Sequence, residues 1–460
     1  MASFLLTVSA ASVQADVIGL KTSKSAGETL TLALNNGVSA QLAWSSGDTE
    51  TVTFDGYPTT VTVVSDSLTI TADDGAITRF YAPSDGLVSL TTSGATALTK
   101  LIVPCNSLTS LSLNSNTALT ELNCQANALT ELSISSCRSL QVLNCAQNQL
   151  SSLIFSGPTT ITSIICADNQ LDSLRYQTSL RSLKSLWCQN NAIRTINLRN
   201  SYDLRSLVAS SNAVTSMTLR SMPCLTDVWV DNNSLKTIDF SAGAPALQYV
   251  SVNDNARTNI EWDADCSESL GHFYAQNNAL FFNSVPTPSD TRVAVLEPQE
   301  SFYLFDAVNI NESVDLSDYM SQTGFGNTSR KTYVLTNGAG ETLTRSTSGD
   351  YYNTSTTWLF YTAQTDVTMA VTASAFGMTL YVQPFDVVDP TGISDVTVAG
   401  GMSLSTAKGT LKVTAAQAAT LSVYNSAGVC VLSGSIGSGT HEYSLPAGLY
   451  VVNGTKVVVP

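Results

Sequence analysis

The chain repeats one phrase. Aligned on LxxLx(small apolar)xxNxL, copies begin at Ile77, Leu98, Leu119, Leu140, Ile161, Leu183, Leu204, Leu225, Leu247 and Leu270, with successive spacings of 21, 21, 21, 21, 22, 21, 21, 22 and 23 residues. A unit this short cannot bury its own apolar face, so copies at a fixed period must stack, each covering the next. The pattern predicts a mainly β solenoid of about ten repeats over residues 77–283. At 460 residues the chain also exceeds a single ordinary core, so further domains should flank the repeat.

The third core position of each copy is Ala82, Val103, Cys124, Cys145, Cys166, Cys188, Ala209, Val230, Val252 and Ala275, every one small and apolar. Three residues on stand Asp85 and then Asn106, Asn127, Asn148, Asn169, Asn191, Asn212, Asn233, Asn255 and Asn278. A primary amide both donates and accepts, so at a turn it satisfies backbone groups of its own coil and the next. This asparagine ladder is therefore structural. The four consecutive cysteines form a line, whereas tetrahedral zinc needs thiolates converging on a point. Parallel in-register side chains also project side by side, which fits the disulfide torsion poorly. Interchange with Ala and Val marks the position as one for a small apolar volume, which a thiol supplies. Nine cysteines is an odd number, so at least one is unpaired within the chain.

The half-units LxxLxCxxNxL and LxxLxL resemble leucine-rich repeats, in particular the bacterial surface type found in Bacteroidetes. The resemblance implies a right-handed solenoid with a parallel sheet on its concave side and short extended segments on its convex side. The second half-units agree: Leu108, Leu111 and Leu113; Leu129, Leu132 and Ile134; Leu150, Leu153 and Phe155; Ile193, Ile196 and Leu198.

Ahead of the repeat, residues 16–76 contain β-like runs between Gly, Asp and Pro turns, expected to form a cap over the first coil. Before them, the apolar run Phe4–Val8 and the small-residue site ending at Ala15 suggest a signal peptide at 1–15, although the positive leading region is missing. After the repeat, residues 284–390 alternate apolar and polar runs and resemble an immunoglobulin-like β-sandwich. Residues 391–460, with Pro446-Ala447-Gly448-Leu449-Tyr450, resemble the carboxy-terminal sorting domains of exported Bacteroidetes proteins. That resemblance implies transport across the outer membrane and indirect attachment at the surface. The chain ends in Pro460 where family members often carry a basic residue.

Charge narrows the partners. With 36 acidic and 21 basic residues the net charge is −15, which opposes nucleic-acid backbones and anionic membranes. Of two histidines, His441 has no nucleophile signature around it, and no metalloprotease, serine-hydrolase or phosphate-loop pattern occurs. Residues 263–268, DADCSE, gather carboxylates but lack the turn glycine of a calcium loop. No enzyme activity, cofactor or metal is expected.

The informative surface is the outward face of the concave sheet. If Leu101 and Val103 point inward, their neighbours point out, giving the row Tyr81, Ile102, Asn123, Asn144, Ile165, Trp187, Val208, Trp229, Ser251 and Tyr274. Beside it lie Asp227, Asp231, Tyr249, Asn253, His272 and Gln276. Aligned Trp and Tyr on a rigid sheet match the composition of binding hot spots. The candidate binding residues are Tyr81, Ile102, Ile165, Trp187, Asp227, Trp229, Asp231, Tyr249, His272 and Tyr274. The expected partner is a protein, with a host extracellular protein as one candidate, bound in an adhesin-like manner. A glycan is the alternative, its apolar ring faces stacking on aromatics while Asp and Asn bond its hydroxyls. A glycosidase using Asp227 and Asp231 is disfavoured, because residues i and i+4 of one strand stand about 13 Å apart. The whole describes an exported, secreted or surface-held recognition protein.

Overall fold

The computed structural model describes residues 14–459, apart from 156–159, 177–179, 242, 257–258, 263–265, 267–268, 282–284, 286–292, 317–330, 355–356, 374–377, 389–395, 399–401 and 408. The expected leader at 1–15 and the acidic stretch 263–268 fall almost wholly outside the described residues. The chain forms two compact units, residues 1–280 with 286–298, and residues 281–285 with 299–460.

In the first unit every repeat contributes one three-residue strand to a parallel sheet. The strands are Arg79–Tyr81, Lys100–Ile102, Glu121–Asn123, Val142–Asn144, Ser163–Ile165, Ser185–Trp187, Ser206–Val208, Asp227–Trp229, Tyr249–Ser251 and His272–Tyr274. Each pairs in register with the next, so equivalent positions of successive copies stand side by side. One further parallel strand, Val293–Val295, pairs with His272–Tyr274. The sheet thus runs one rung past the ten periods, and part of the stretch from 284, which the sequence assigns to the next domain, lies in the solenoid unit.

The strands are short because the chain turns immediately after them. The residue before each ladder position, from Ser84 and Cys105 through Ala126 and Gln147 to Asn277, adopts φ between 51° and 56°, and none of the ten is glycine. L-residues resist this left-handed conformation, so something must hold it. The ladder does. Asn148 Nδ2 donates to the carbonyls of Cys124 at 3.0 Å, Cys145 at 3.1 Å and Ala146 at 3.1 Å, while its Oδ1 accepts from Leu129 N at 3.0 Å. Asn127, Asn169, Asn191, Asn212, Asn233 and Asn255 repeat the arrangement. Each amide thereby joins its own turn to the coil before it.

The one departure has a physical cause. Asp85 begins the ladder, where no preceding coil offers carbonyls to a donor. The cap supplies donors instead: Thr31 N at 2.8 Å and Lys24 Nζ at 3.1 Å both reach Asp85 Oδ1. An acceptor-only carboxylate suits that place, where an amide suits the rest.

The interior is a column of Leu101, Leu122, Leu143, Ile164, Leu186, Leu207, Val228, Val250 and Phe273, all buried. Cys124, Cys145, Cys166 and Cys188 lie in the adjoining column, wholly buried and without disulfides. Burial pushes the thiols of Cys124 and Cys188 up to about 12, and those of Cys145 and Cys166 also well up. On the opposite side of the coils, two short parallel sheets form from Leu132–Ser133, Leu153–Phe155 and Leu174–Tyr176, and from Ser216–Thr218, Thr237–Asp239 and Asn259–Glu261. Extended segments replace helices there, as coils of this length require.

The cap closes both sides of the first coil. Thr29–Leu34 pairs antiparallel with Arg79–Tyr81, and Thr59–Thr62 pairs with it in turn. Asp16–Thr22 pairs with Leu87–Thr91, within a sheet completed by Ser67–Ala72, Ser39–Trp44 and Thr49–Thr53. Asp16 Oδ2 also accepts from Ile77 N at 2.7 Å inside the junction. Backbone groups that an open edge would present are thus paired.

The second unit holds two further pairs of sheets. Strands between Ala307 and Val388 form a four-stranded and a three-stranded sheet, with Tyr351, Trp358, Phe360 and Phe385 buried among them. Strands between Val396 and Val459 form two four-stranded sheets over a core that includes Leu411, Val413, Leu421 and Val452. Among the described residues no helix is long and apolar enough to cross a membrane.

Candidate ligand-binding surface

In-register pairing arranges the outward side chains in three rows. The central row runs Tyr81, Ile102, Asn123, Asn144, Ile165, Trp187, Val208, Trp229, Ser251 and Tyr274. On one side stand Asp227, Tyr249 and His272 as register partners. On the other, past the strand ends, stand Gln189, Ser210, Asp231, Asn253 and Gln276.

The candidate residues fall into two groups. Tyr81 and Ile102 lie at the cap end, where Arg79 packs over the Tyr81 ring at 5.8 Å. Eight pairings separate Tyr81 from Ser251, about 38 Å at ordinary strand spacing. Between the groups lies a polar break. Asn144 Nδ2 donates to Gln125 Oε1 at 2.9 Å and Gln125 Nε2 to Gln147 Oε1 at 3.0 Å, so these amides satisfy one another. Ile165 lies next to the second group, beside Trp187.

The second group is an aromatic shelf. Trp229 and Tyr249 stack with ring centroids 4.2 Å apart and an interplanar angle of 18°. Tyr249 lies 5.7 Å from His272 and 5.4 Å from Tyr274, and the His272 and Tyr274 rings are nearly coplanar in orientation at 4°. Four rings from three adjacent strands form one continuous patch. Trp187 stands two strands from Trp229, with Val208 between them. Trp187 and Trp229 remain 41% and 37% exposed, high values for the largest side chain on a hydrogen-bonded sheet.

The two carboxylates differ in their surroundings. Asp231 Oδ1 accepts from the Ser251 hydroxyl and from Asn253 N at 2.8 Å, and Oδ2 from the Ser210 hydroxyl at 3.3 Å. It is a brace between three coils. Among the described residues Asp227 accepts only the Thr226 hydroxyl, at 2.6 Å on Oδ2. Burial, aided by Tyr274, Asp231 and Asp227, holds the Tyr249 phenol above its ordinary range. Sequence reasoning named Asp231 but missed Ser210 and Ser251 as its partners. The signal was available in the rows, where a hydroxyl falls on the neighbouring coil at each contact.

The fold is a leucine-rich-repeat β-solenoid followed by further β sheets. No protein-family model and no curated protein matches the sequence. Solved structures similar to it include the functional domain of InlJ from Listeria monocytogenes, described as including a cysteine ladder, at 18% identity over 68% of this chain and 92% of that one, with a TM-score of 0.28. The internalin InlF, also from Listeria monocytogenes, matches at 21% identity over 44% and 75%, with a TM-score of 0.33. YopM, a leucine-rich effector protein from Yersinia pestis, matches at 23% identity over 45% and 64%, with a TM-score of 0.35.

Proposed function

We propose that this is a recognition protein that holds a protein ligand against the shelf running from Trp187 to Tyr274 and acts by binding, without catalysis. One observation carries the proposal: Trp187 and Trp229 stand exposed on a rigid sheet, the latter in a continuous aromatic patch with Tyr249, His272 and Tyr274. Side chains already fixed by stacking lose little entropy on contact, and Trp and Tyr dominate binding hot spots. Asp227, Asp231 and Ile165 border this patch, while Tyr81 and Ile102 form a separate contact region near the cap.

The glycan alternative is weaker on one specific point. A sugar is usually held by several polar groups around one ring, and of the two carboxylates here Asp231 already receives protein donors on both oxygens, which leaves Asp227 as the carboxylate with an oxygen that receives none among the described residues. We further propose that the chain is exported and held at or beyond a bacterial surface. On this reading 1–15 is a leader, 16–76 a cap, 284–390 an immunoglobulin-like module and 391–460 a sorting-like domain of the Bacteroidetes kind. The support is the sequence pattern of those segments together with paired β sheets in the last two.

The test is a screen of the purified chain against extracellular proteins and a glycan array, alongside the Trp187→Ala and Trp229→Ala double variant. A hot-spot tryptophan contributes about 2 kcal/mol or more, so each substitution should weaken a protein hit roughly thirtyfold. Full binding by the double variant would remove the shelf from consideration, and a shelf-dependent hit on the glycan array alone would select the alternative.

A further inference from the structure

The two ends of the outward face differ in how their charges are paired. At the cap end the strands present Arg79 and Lys100, the latter paired with Glu121 at 2.8 Å. From Ser163 to Gln276 the three outward rows contain Asp227 and Asp231 and no lysine or arginine, while exposed Lys184 and Arg205 stand just ahead of Ser185 and Ser206. Both carboxylates receive hydrogen bonds from neutral groups, and neither has an ion-pair partner among the described residues. Neutral donors orient a carboxylate but leave its unit charge uncancelled. The shelf is therefore an aromatic surface bordered by two carboxylates that no cation of the described residues pairs.

A second observation is independent of charge. Gln189 Oε1 is buried and accepts no hydrogen bond. It follows Trp187 by two residues, in the row that leads to Ser210 and Asp231. A buried acceptor without a donor is uncommon; Asp16 Oδ1 and Asp85 Oδ2 share the condition beneath the cap, and Gln189 is the one that stands in an outward row, where an incoming donor could reach it after a small side-chain shift.

Building on the binding reading above, we infer that the protein ligand meets the shelf through a basic, extended segment whose arginines stack on Trp187 and Trp229 and donate to Asp227 and Gln189. Arginine fits better than lysine on three counts. Its guanidinium is planar and stacks on aromatic faces, it carries five donors against an acceptor-rich border, and it is the less strongly hydrated cation. Geometry adds a spacing. Trp187 and Trp229 are two strands apart, about 10 Å, and a polyproline-II segment, with three residues per turn and about 3.1 Å per residue, brings a side chain back to the same face over that distance every third residue. The segment crosses the strands with arginines at i and i+3. Tyr249 covers one face of Trp229, so the open face of that ring receives the second arginine.

The experiment uses the full chain and a phage-displayed library of random dodecapeptides. Selected clones are sorted by whether they lose binding to the Trp187→Ala and Trp229→Ala double variant. Shelf-dependent clones should be enriched in arginine, with pairs three residues apart. Synthetic copies should weaken at least tenfold against Asp227→Asn, at least tenfold when their arginines become glutamate, and severalfold when these become lysine. Binding should also fall as salt is raised from about 50 to 300 mM, since exposed charges are screened over shorter distances. Shelf-dependent clones that are neutral or acidic, or whose affinity ignores both Asp227→Asn and the arginine-to-glutamate change, would overturn the inference and leave the binding proposal standing. Absence of any shelf-dependent clone would overturn both. The peptide substitutions need no refolding of the protein, so they decide the matter even if a variant is unstable.

Discussion

Asn148→Ala isolates what the asparagine ladder contributes. Four hydrogen bonds disappear, but they are not equal. The carbonyls of Cys124 and Cys145 keep the amides of Asn127 at 3.0 Å and Asn169 at 3.1 Å, and Ala146 O keeps Ala126 N at 2.9 Å. Leu129 N alone loses its only partner, Asn148 Oδ1 at 3.0 Å, inside the solenoid. Leaving one buried N–H unsatisfied costs about 1–3 kcal/mol, and the lost carbonyl bonds add about 1 kcal/mol more. The expected total is roughly 2–4 kcal/mol, well short of four full bonds plus four orphans. Urea unfolding followed by tryptophan fluorescence measures it, with Asn232→Ala as comparator. Asn232 is exposed, and among the described residues its side chain bonds only the Ser211 hydroxyl at 3.2 Å, but it sits at φ 51°, which asparagine tolerates better than alanine, so its loss should cost about 1 kcal/mol or less. Asn148→Asp keeps the acceptor for Leu129 but turns a carboxylate toward three carbonyls. It should be at least as damaging at pH 8 and partly recover near pH 4, where the protonated acid can donate. If Asn148→Ala costs no more than Asn232→Ala, the ladder does not supply a partner the backbone lacks.

Three further outcomes follow from the same coils. Under native conditions an alkylating reagent should modify exposed Cys105 and Cys430, while Cys124, Cys145, Cys166 and Cys188 react only on unfolding, because burial keeps them as thiols; mass spectrometry of labelled peptides reads this directly. Ala126→Gly should raise stability by about 1 kcal/mol in urea, because Ala126 sits at φ 52° where glycine carries no steric penalty. Burial holds Asp85 above the ordinary carboxylate range despite Lys24, so its contribution is fullest at low pH and is lost as pH rises through the raised value. Asp85→Asn should therefore gain on the native chain as pH rises above the ordinary carboxylate range, and a gap moving the other way would show the Lys24 attraction outweighing desolvation.

A repeat makes its own positions comparable, and that decides what was legible in the sequence. The strands, the ladder and the cysteine column could be placed from letters alone, because each coil imposes the same volume and the same unpaired backbone groups on its neighbours. The shelf was legible only as a set of residues. Whether Trp229 stacks on Tyr249 or stands apart depends on rotamers that register does not fix, and the partners of Asp231 come from coils 20 to 22 residues away. The last strand, Val293–Val295, escaped because a terminal rung need not keep the motif that joins two inner coils. Departures from a column are thus the informative letters, provided a structural cause is sought first. Asp85 departs from the asparagine column, and the cap accounts for the carboxylate: its donors Thr31 and Lys24, both to Oδ1, stand where a preceding coil would have offered carbonyls. Trp187 and Trp229 are the largest members of a column that otherwise holds Tyr, Ile, Asn, Val and Ser, and the stack has no interior volume for them to fill, since they lie on its outward face with 41% and 37% of their surface in water. A side chain that the stack neither needs nor shelters is best accounted for by something outside the chain, which is why the case for binding rests on these two residues and not on the more conspicuous cysteines.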